Sequence, residues 1–433
     1  MRQRRRASER TGPAVGASPG LDLPPCPTMS AMELVSVDRI RAARLLLAGV
    51  ARQTPLEPSR ALARDHGPVH LKCENLQRAG SFKVRGAYVR LHGLSRVQRT
   101  RGVVAASAGN HAQGVALAAS LLNVRATVFM PEAAPLPKIA ATRGYGADVR
   151  LHGEGLEDAL AVARRFAADT GAELIHPFDH PDVIAGQGTV GLEVLDQLPE
   201  VGSILVPTGG GGLVSGIAAA VKPLRPEVRV VGVQAERAAA WPPSLAEGRP
   251  VRLPGTRTMA DGIAVREPGE VTYAHVSALV DEIVTVDEEA LSRALLLCLE
   301  RTKLLVEPAG AAAVAAVARY PGRFPPPVVA VLSGGNIDPL LLLHVIQHGM
   351  TAAGRYLALR LRIPDRPGAL AGLLALVGRL GGNVLDVEHS RISGLLAVDE
   401  VEVALNLETR GPDHRHEVVA ALREAGHTVV EEP

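Results

Sequence analysis

Four consecutive glycines, Gly209 to Gly212, stand between the apolar run Ile204-Leu205-Val206-Pro207 and a small-residue segment reaching from Leu213 to about Val221. The run reads as a short buried strand and the segment as a helix, so the glycines fall at a strand-to-helix turn. Without side chains in the way, backbone N–H groups there can converge on an anion, and the helix N-terminus adds partial positive charge. Two nucleotide signatures compete for this turn. A P-loop needs Lys-Ser or Lys-Thr after its second glycine, whereas Leu213-Val214-Ser215 follows here. The dinucleotide fingerprint GxGxxG finds its nearest register in Gly210-x-Gly212-x-x-Ser215, with serine at the third glycine. Glu236, after the apolar run Val228 to Val233, lies near the distance of a ribose-binding acid, so a nicotinamide enzyme is the runner-up on local grounds.

The same alternation covers most of the chain. Val103–Ala106, a helix from about Asn110 to Leu122, Val124–Met130, Pro137–Arg143 and Val149–His152 read as β-α-β-α-β. Ile204–Val206, Val228–Val233 and Val328–Leu332 form a second series. The predicted class is α/β, with parallel sheets covered by helices on both faces. Ligands of such sheets bind outside the strand C-terminal ends, where Ser107 to His111, Gly209 to Gly212 and Ser333 to Asn336 all fall, so these loops are expected to share one cleft. A length of 433 residues allows two or three domains, and 47% apolar content supports sizeable cores. A net charge of +2 gives no field favouring nucleic acid or a membrane surface, which leaves small molecules as the expected partners.

Cys26, Cys73 and Cys298 lack CxxC spacing and argue against a disulfide framework or zinc knuckle, as suits a reducing compartment. No apolar stretch approaches a membrane span, and residues 1 to about 32 lack the hydrophobic core of a secretion signal, so the expected location is cytoplasmic. That first stretch, rich in Arg, Ser, Gly and Pro and containing Met29 and Met32, reads as a disordered tail or an over-called start. Glu9 and the prolines weigh against an Arg-rich transit peptide.

Lys83 lies in Asn75-Leu76-Gln77-Arg78-Ala79-Gly80-Ser81-Phe82-Lys83-Val84-Arg85-Gly86-Ala87. Ser81 reads as an N-cap, and Val84, Ala87, Tyr88 and Leu91 recur at helical spacing, which places Lys83 in the first turn of an amphipathic helix. The positive end of the helix dipole disfavours an ammonium, and burial would too. Both lower the pKa toward the neutral amine that covalent carbonyl chemistry requires, which lysine can supply and arginine cannot. Most lysines are solvated, and the phosphate cradle downstream is what gives this one a role that a nicotinamide enzyme would leave unexplained.

After Gly354 the texture changes. Leu357 to Ile363 alternates with period two, Pro367–Leu380 is helical, Val384–His389 and Glu400–Leu407 read as strands, and His414–Ala425 as a helix before Thr428-Val429-Val430. The order βαββαβ describes a small α+β module suited to binding a small ligand. His414 and His416, two apart on that helix, face different sides and read as solvated. No HExxH occurs in the chain, and no metal is expected.

The string Glu74 to Ala87, with Ser107-Ala108-Gly109-Asn110-His111, Gly209-Gly210-Gly211-Gly212-Leu213 and Ser333-Gly334-Gly335-Asn336, resembles the threonine dehydratase and serine racemase group of pyridoxal-phosphate enzymes. The four motifs stand in that group's order, and the resemblance runs from about Met32 to the end of the chain. Asp365-Arg366-Pro367-Gly368-Ala369-Leu370 resembles the opening loop of an ACT regulatory domain. The resemblance implies a two-lobed, tryptophan synthase β-like fold (fold type II) over residues 33–350, with a smaller lobe at about 98–178. A linker at 351–355 and an ACT-like domain at 356–433 would follow.

It further implies that Lys83 holds pyridoxal 5'-phosphate covalently and acts as base at the substrate Cα, while Phe82 packs on the ring. Asn110 would bond the ring hydroxyl, and Gly209, Gly210, Gly211, Gly212 and Leu213 would bind the phosphate. The amides around Ser107, Ala108, Gly109, Asn110 and His111 would hold the substrate carboxylate, with Glu307 near the cofactor. Ser333 would face the ring nitrogen, and a neutral hydroxyl cannot keep that nitrogen protonated, so the ring is a weaker electron sink that suits prompt loss of a β-hydroxyl. The implied activity is elimination and deamination of L-threonine, and of L-serine, to 2-oxobutanoate or pyruvate and ammonia. Racemases of this group carry a serine before the glycine of the Ser-x-Gly-Asn-His loop, and this chain has Ala108. Serine racemase or another β-hydroxy amino acid lyase is the alternative, and a cofactor-binding sensor the non-enzyme one. Asp365, Pro367, Gly368, Ala369 and Leu370 would take an amino-acid effector, isoleucine or valine, in a homo-oligomer.

Each loop has a plain reading beside this one. Ser107 can be an N-cap, His111 a satisfied helix histidine, Ser333 to Asn336 an ordinary turn and Glu307 a helix-start carboxylate. Two departures from the group's pattern stand out. Ala79 occupies a position where threonine is frequent, and Arg237-Ala238-Ala239-Ala240-Trp241 after Glu236 adds no carboxylate for a divalent ion.

Overall fold

A computed structural model describes residues 33–391 and 397–431, and residues 1–32, the expected disordered tail, lie outside the described residues. Three sheets organise the fold. The largest has six strands in the order Leu56–Pro58, Val69–Lys72, Val328–Val331, Ser203–Pro207, Arg229–Ala235, Glu282–Val286. Only its first pair is antiparallel. Ser203–Pro207 and Val328–Val331 are buried at every position, as uninterrupted apolar runs require when helices cover both faces. Alternate residues separate cleanly: Leu205, Val231 and Ala330 pack with helix Pro308–Arg319, whereas Ile204, Val230 and Val329 pack with helix Gly212–Val221.

The smaller sheet is all parallel, in the order Asp148–Leu151, Ala126–Met130, Val103–Ala106, Glu173–Leu174. Helix Asn110–Leu121 covers one face through Val103 and Val128, and helix Leu156–Thr170 covers the other through Val104 and Phe129. The elements from Val103 to Leu151 match the sequence expectations to within a residue or two, whereas helix Leu156–Thr170 and strand Glu173–Leu174 go beyond them.

The C-terminal sheet is antiparallel throughout, in the order Asn383–Ser390, Glu400–Glu408, Tyr356–Pro364, Thr428–Glu431. With helices Ala369–Arg379 and Pro412–Glu424 the chain order is βαββαβ. Leu357, Leu359, Leu361 and Ile363 turn inward against Val401, Val403, Leu405 and Leu407, and form a separate core with Leu373, Val377 and Leu422. Helix Pro339–Ala352 leads into this module, and Gly354, at φ 64°, turns the chain toward Tyr356. Thr409 fastens the turn, donating from Oγ1 to the Gly354 carbonyl at 2.6 Å. Among the described residues no helix is long and apolar enough to cross a membrane.

Two local expectations are corrected. Ser81 does not cap the Lys83 helix. Phe82 is the residue that precedes it, and Ser81 instead forms a lone β-bridge with Gly334. His414 is buried rather than solvated: its Nδ1 accepts from the Arg410 N–H at 3.0 Å and its Nε2 meets the Leu380 carbonyl at 2.8 Å. A ring satisfied at both nitrogens by main chain brings no unpaired polar atom into the core.

Candidate active site

The cleft is built from loops that leave the C-terminal ends of parallel strands. Helix Lys83–His92 begins at its edge, and Lys83 sits in the first turn with its side chain half-buried. Lys83 Nζ donates to the Pro177 carbonyl at 3.0 Å and lies 5.1 Å from the centre of the Phe82 ring. Burial lowers its pKa to about 8, and the Glu307 carboxylate opposes the shift. About a tenth of the amine is therefore neutral near pH 7, far more than for a free lysine, as a nucleophilic or basic amine requires.

A polar knot stands beside the amine. Asn110, first residue of its helix, donates from Nδ2 to Glu307 Oε1 at 2.6 Å, and its Oδ1 accepts from Asn336 Nδ2 at 2.8 Å. Asn336 also donates to the Ala79 carbonyl at 2.7 Å. Glu307 precedes helix Pro308–Arg319 but makes no side-chain cap, because its carboxylate is turned to Asn110. Its pKa is raised to about 7 by burial and by Asp261, with Lys138, Asn110 and Lys83 pulling the other way. A Cβ on Gly334 would overlap the Glu307 carboxylate, so the Ser333 to Asn336 loop needs glycine there. Ser333 is buried, and its carbonyl accepts from the Phe82 N–H at 3.3 Å, which ties the loop to the residue before Lys83.

The glycine turn meets the amine through one dipeptide. Pro177 holds Lys83, and the adjoining Phe178 ring lies where a Cβ on Gly210 would be. Cβ atoms on Gly209 and Gly212 would come within 3.0 Å of Ile263 and Phe178, and one on Gly211, at φ 95°, would come within 2.5 Å of Trp241. Trp241 Nε1 also donates to the Gly209 carbonyl at 2.7 Å. Close packing thus fills the Cβ side of the turn. Among the described residues, the N–H groups of Gly209, Gly210 and Gly211 donate to no protein acceptor. Those of Gly212 and Leu213 open helix Gly212–Val221, where no intrahelical partner exists. Successive free donors at a helix N-terminus fit a phosphate. The buried Ser81 Oγ, two residues before Lys83, likewise has no protein partner.

In the Ser107 to His111 loop, Ser107 Oγ accepts from the Gly109 N–H at 3.1 Å and Gly109 precedes the helix, so Ser107 closes a turn rather than capping it. His111 is a satisfied helix histidine: its Nε2 lies 2.9 Å from the Ile175 carbonyl, and burial, with Lys83 adding, lowers its pKa to about 3. Burial likewise lowers His176 to about 4 against Asp179. Both rings are neutral near pH 7, which leaves Lys83 and Glu307 as the titrating pair. Asp365, Pro367, Gly368, Ala369 and Leu370 fall outside this cleft's contacts, at the turn into helix Ala369–Arg379, where Asp365 pairs with Arg391 at 3.1 Å. Glu236 is exposed in a short 3-10 turn, and no group of three His, Cys, Asp or Glu among the described residues is placed to hold a metal.

Sequence reasoning missed Pro177, Phe178 and the role of Asn336. The loop from Ile175 to His180 follows a strand of two residues, Glu173–Leu174, too short for a period-two signal. The available sign was Pro177 and Pro181 flanking Phe178 between two histidines, a stiff loop with little apolar content of its own.

Comparison with known proteins places this geometry. The chain is 45% identical over 397 residues to the L-threonine ammonia-lyase of Thermotoga maritima, covering 92% of this chain and 99% of that one. It is 47% identical over 380 residues to the L-threonine ammonia-lyase of Geobacter sulfurreducens, covering 87% and 94%. Among solved structures, the processed form of threonine deaminase isoform 2 from Solanum lycopersicum superposes with a TM-score of 0.67 at 36% identity, over 73% of this chain and 95% of that one. Maize serine racemase superposes with a TM-score of 0.68 at 35% identity, over 74% and 99%. The all-parallel sheet and the largely parallel six-stranded one therefore form the expected fold type II arrangement, with the antiparallel module added after it. Residues 47–334, a span that includes Lys83, the glycine turn and Glu307, match the pyridoxal-phosphate dependent enzymes, and the chain belongs to that family.

Proposed function

We propose that the protein is an L-threonine ammonia-lyase that also accepts L-serine. The carrying observation is one cleft in which a lysine with its pKa lowered to about 8 lies beside a buried carboxylate and a turn of free amides. Relatives named L-threonine ammonia-lyase at 45% and 47% identity support the same reading. The cofactor, when bound, supplies an electron sink for the Cα–H bond. Lys83 would hold it covalently, and Lys83 Nζ is the base that would take the substrate α proton. The N–H groups of Gly209 to Leu213 would hold the phosphate, and Phe82 would pack against the ring. Asn110, oriented by Glu307 and Asn336, would donate to the ring hydroxyl, while Ser333 would serve the ring nitrogen without charging it. The amides from Ser107 to His111 hold the substrate carboxylate. Loss of the β-hydroxyl as water, followed by hydrolysis, gives 2-oxobutanoate and ammonia.

Ala108 offers no hydroxyl on the face opposite Lys83, which favours elimination over racemisation. The test is release of ammonia and 2-oxobutanoate from L-threonine by the purified protein. Formation of D-serine from L-serine at a comparable rate would overturn the assignment in favour of a racemase.

Residues 33–350 make up the catalytic part, with its smaller lobe at about 98–178, and residues 356–433 an ACT-like regulatory domain that binds an amino acid at Asp365 to Leu370. The βαββαβ order and the exposed Asp365 to Gly368 turn support this. Pairing of such domains makes a homo-oligomer the expected assembly, and the cytoplasm the expected location. Titration with isoleucine and valine, read by calorimetry and by rate, tests the effector: if neither ligand binds or alters turnover, this part of the reading falls.

A further inference from the structure

A buried charge cluster lies behind the Lys83 helix. Lys72, Glu74, Arg85 and Glu193 are 0%, 0%, 1% and 6% exposed. Arg85 donates from Nε and Nη2 to the two oxygens of Glu74, each at 2.8 Å. Its Nη1 donates to Glu193 Oε1 at 2.6 Å and to Thr189 Oγ1 at 3.0 Å, and Nη2 reaches Glu193 Oε2 and the Arg52 carbonyl, both at 3.1 Å. Lys72 Nζ donates to Glu193 Oε2 at 2.6 Å and to Gln197 and the Thr54 carbonyl, both at 2.9 Å. Two cations and two carboxylates cancel, and every guanidinium nitrogen is engaged.

Such a cluster adds little net stability, since well-packed apolar groups of the same volume would hold the elements together as well. What it adds is direction. The other packing contacts of this helix turn are made largely through glycine: a Cβ on Gly114 would come within 3.0 Å of Lys83 and one on Gly186 within 2.6 Å of the Arg85 carbonyl, while the Gly86 N–H donates to Gln187 Oε1 at a longer 3.2 Å. Glycine approaches offer few side-chain locks against rotation about the helix axis, whereas a two-pronged guanidinium between two carboxylates fixes it at short range. Residues two apart on a helix point about 200° apart, so fastening Arg85 inward aims Lys83 outward.

We infer that Arg85, clamped by Glu74 and Glu193, is a positioning residue that fixes the rotation of the Lys83 helix and so delivers the Lys83 amine to the cleft. This rests on reading Lys83 as the reactive amine, but its first readout needs no turnover. The groups facing that amine are Glu307, His111 and His176, none of them in the cluster.

The test is competitive acetylation of Lys83 across pH in the full-length chain stripped of cofactor, read by mass spectrometry. The wild-type midpoint should lie at about 8. Arg85→Lys keeps the charge and loses the fork, and its midpoint should rise by about one unit, a tenfold loss of neutral amine below it. Retention of the cofactor's visible band after gel filtration should fall in parallel. Leu422→Ala, a core change in the C-terminal module, should lower the melting temperature and leave the Lys83 midpoint in place. If Arg85→Lys does not fold, Thr189→Val, which removes a single acceptor of Arg85, should give a smaller rise in the same direction. An unchanged midpoint in the folded variant overturns the inference. A shifted midpoint in a protein that releases no ammonia from L-threonine would leave the positioning intact and sink only the proposed activity.

Discussion

The two-lobed part buries a set of charges, whereas the C-terminal module keeps its ion pairs at the surface. In the first, Lys72, Glu74, Arg85, Glu193 and Glu307 are buried, and desolvation moves Lys83 and Glu307 toward neutral pH. In the second, the pairs Arg360–Glu402 and Asp365–Arg391 lie at the surface. Parallel strands covered on both faces force whatever is polar at their ends into a confined cleft, whereas an antiparallel sheet with one open face leaves its charges in water. Burial makes a charge reactive and costly, and exposure makes it cheap and replaceable.

The sharpest way to break that contrast is to remove the confined amine. Lys83→Ala should abolish ammonia release from L-threonine by a factor on the order of 10²–10⁴ or more, with loss of the bound cofactor's visible absorbance, while circular dichroism stays native. Next in size is the apolar core of the module. Leu361→Ala should cost about 2–5 kcal/mol by urea unfolding followed by hydrogen exchange within residues 356–431. Basal turnover should change less than the effector response.

The titrating pair predicts the shape of stability against pH in the cofactor-free chain. Glu307 has its folded pKa raised, so its contribution is fully present below the unfolded value and is lost as pH rises from about 4.5 through about 7. Lys83 has its folded pKa lowered, so its contribution is present above 10.5 and is lost as pH falls through about 8. Urea midpoints should therefore dip between the two, and Glu307→Gln should flatten the acid side and, by removing the carboxylate that holds the Lys83 pKa up, start the alkaline rise at lower pH. A smaller effect is expected from Gly210→Ala, whose Cβ would overlap Phe178. Overpacking of about 1–3 kcal/mol should appear as weaker cofactor retention at unchanged secondary structure. Smallest of all, Glu402→Gln, which breaks the surface pair with Arg360, should shift stability by about 0.2–1 kcal/mol and less in high salt, as read by thermal melts.

Legibility in the sequence followed the range of the interactions. Strands such as Val103–Ala106 and Ser203–Pro207 are apolar almost throughout, and the turn after the latter is written in four adjacent glycines, so fold and cradle were readable from contiguous residues. The contacts that orient the site are not contiguous. Lys83 meets Pro177 across 94 positions, Asn110 meets Glu307 across 197, and Asn336 meets Asn110 across 226. No local periodicity encodes such pairs. Ser81 misled for the same reason: a serine before an amphipathic run suits a cap, but its strand-like pairing with distant Gly334 took the backbone elsewhere. His414 was hidden by a main-chain pocket assembled from Leu380 and Arg410.

The crowding behind the glycine turn has a genetic consequence. Any change in the first two bases of a glycine codon that does not stop translation introduces a side chain, and at Gly209, Gly210, Gly211 and Gly212 that side chain would run into Ile263, Phe178 or Trp241. The turn is thus a mutational dead end on its own. Retuning how tightly the phosphate is gripped has to begin with the bulky neighbours, whose trimming would open room that the turn could afterwards fill.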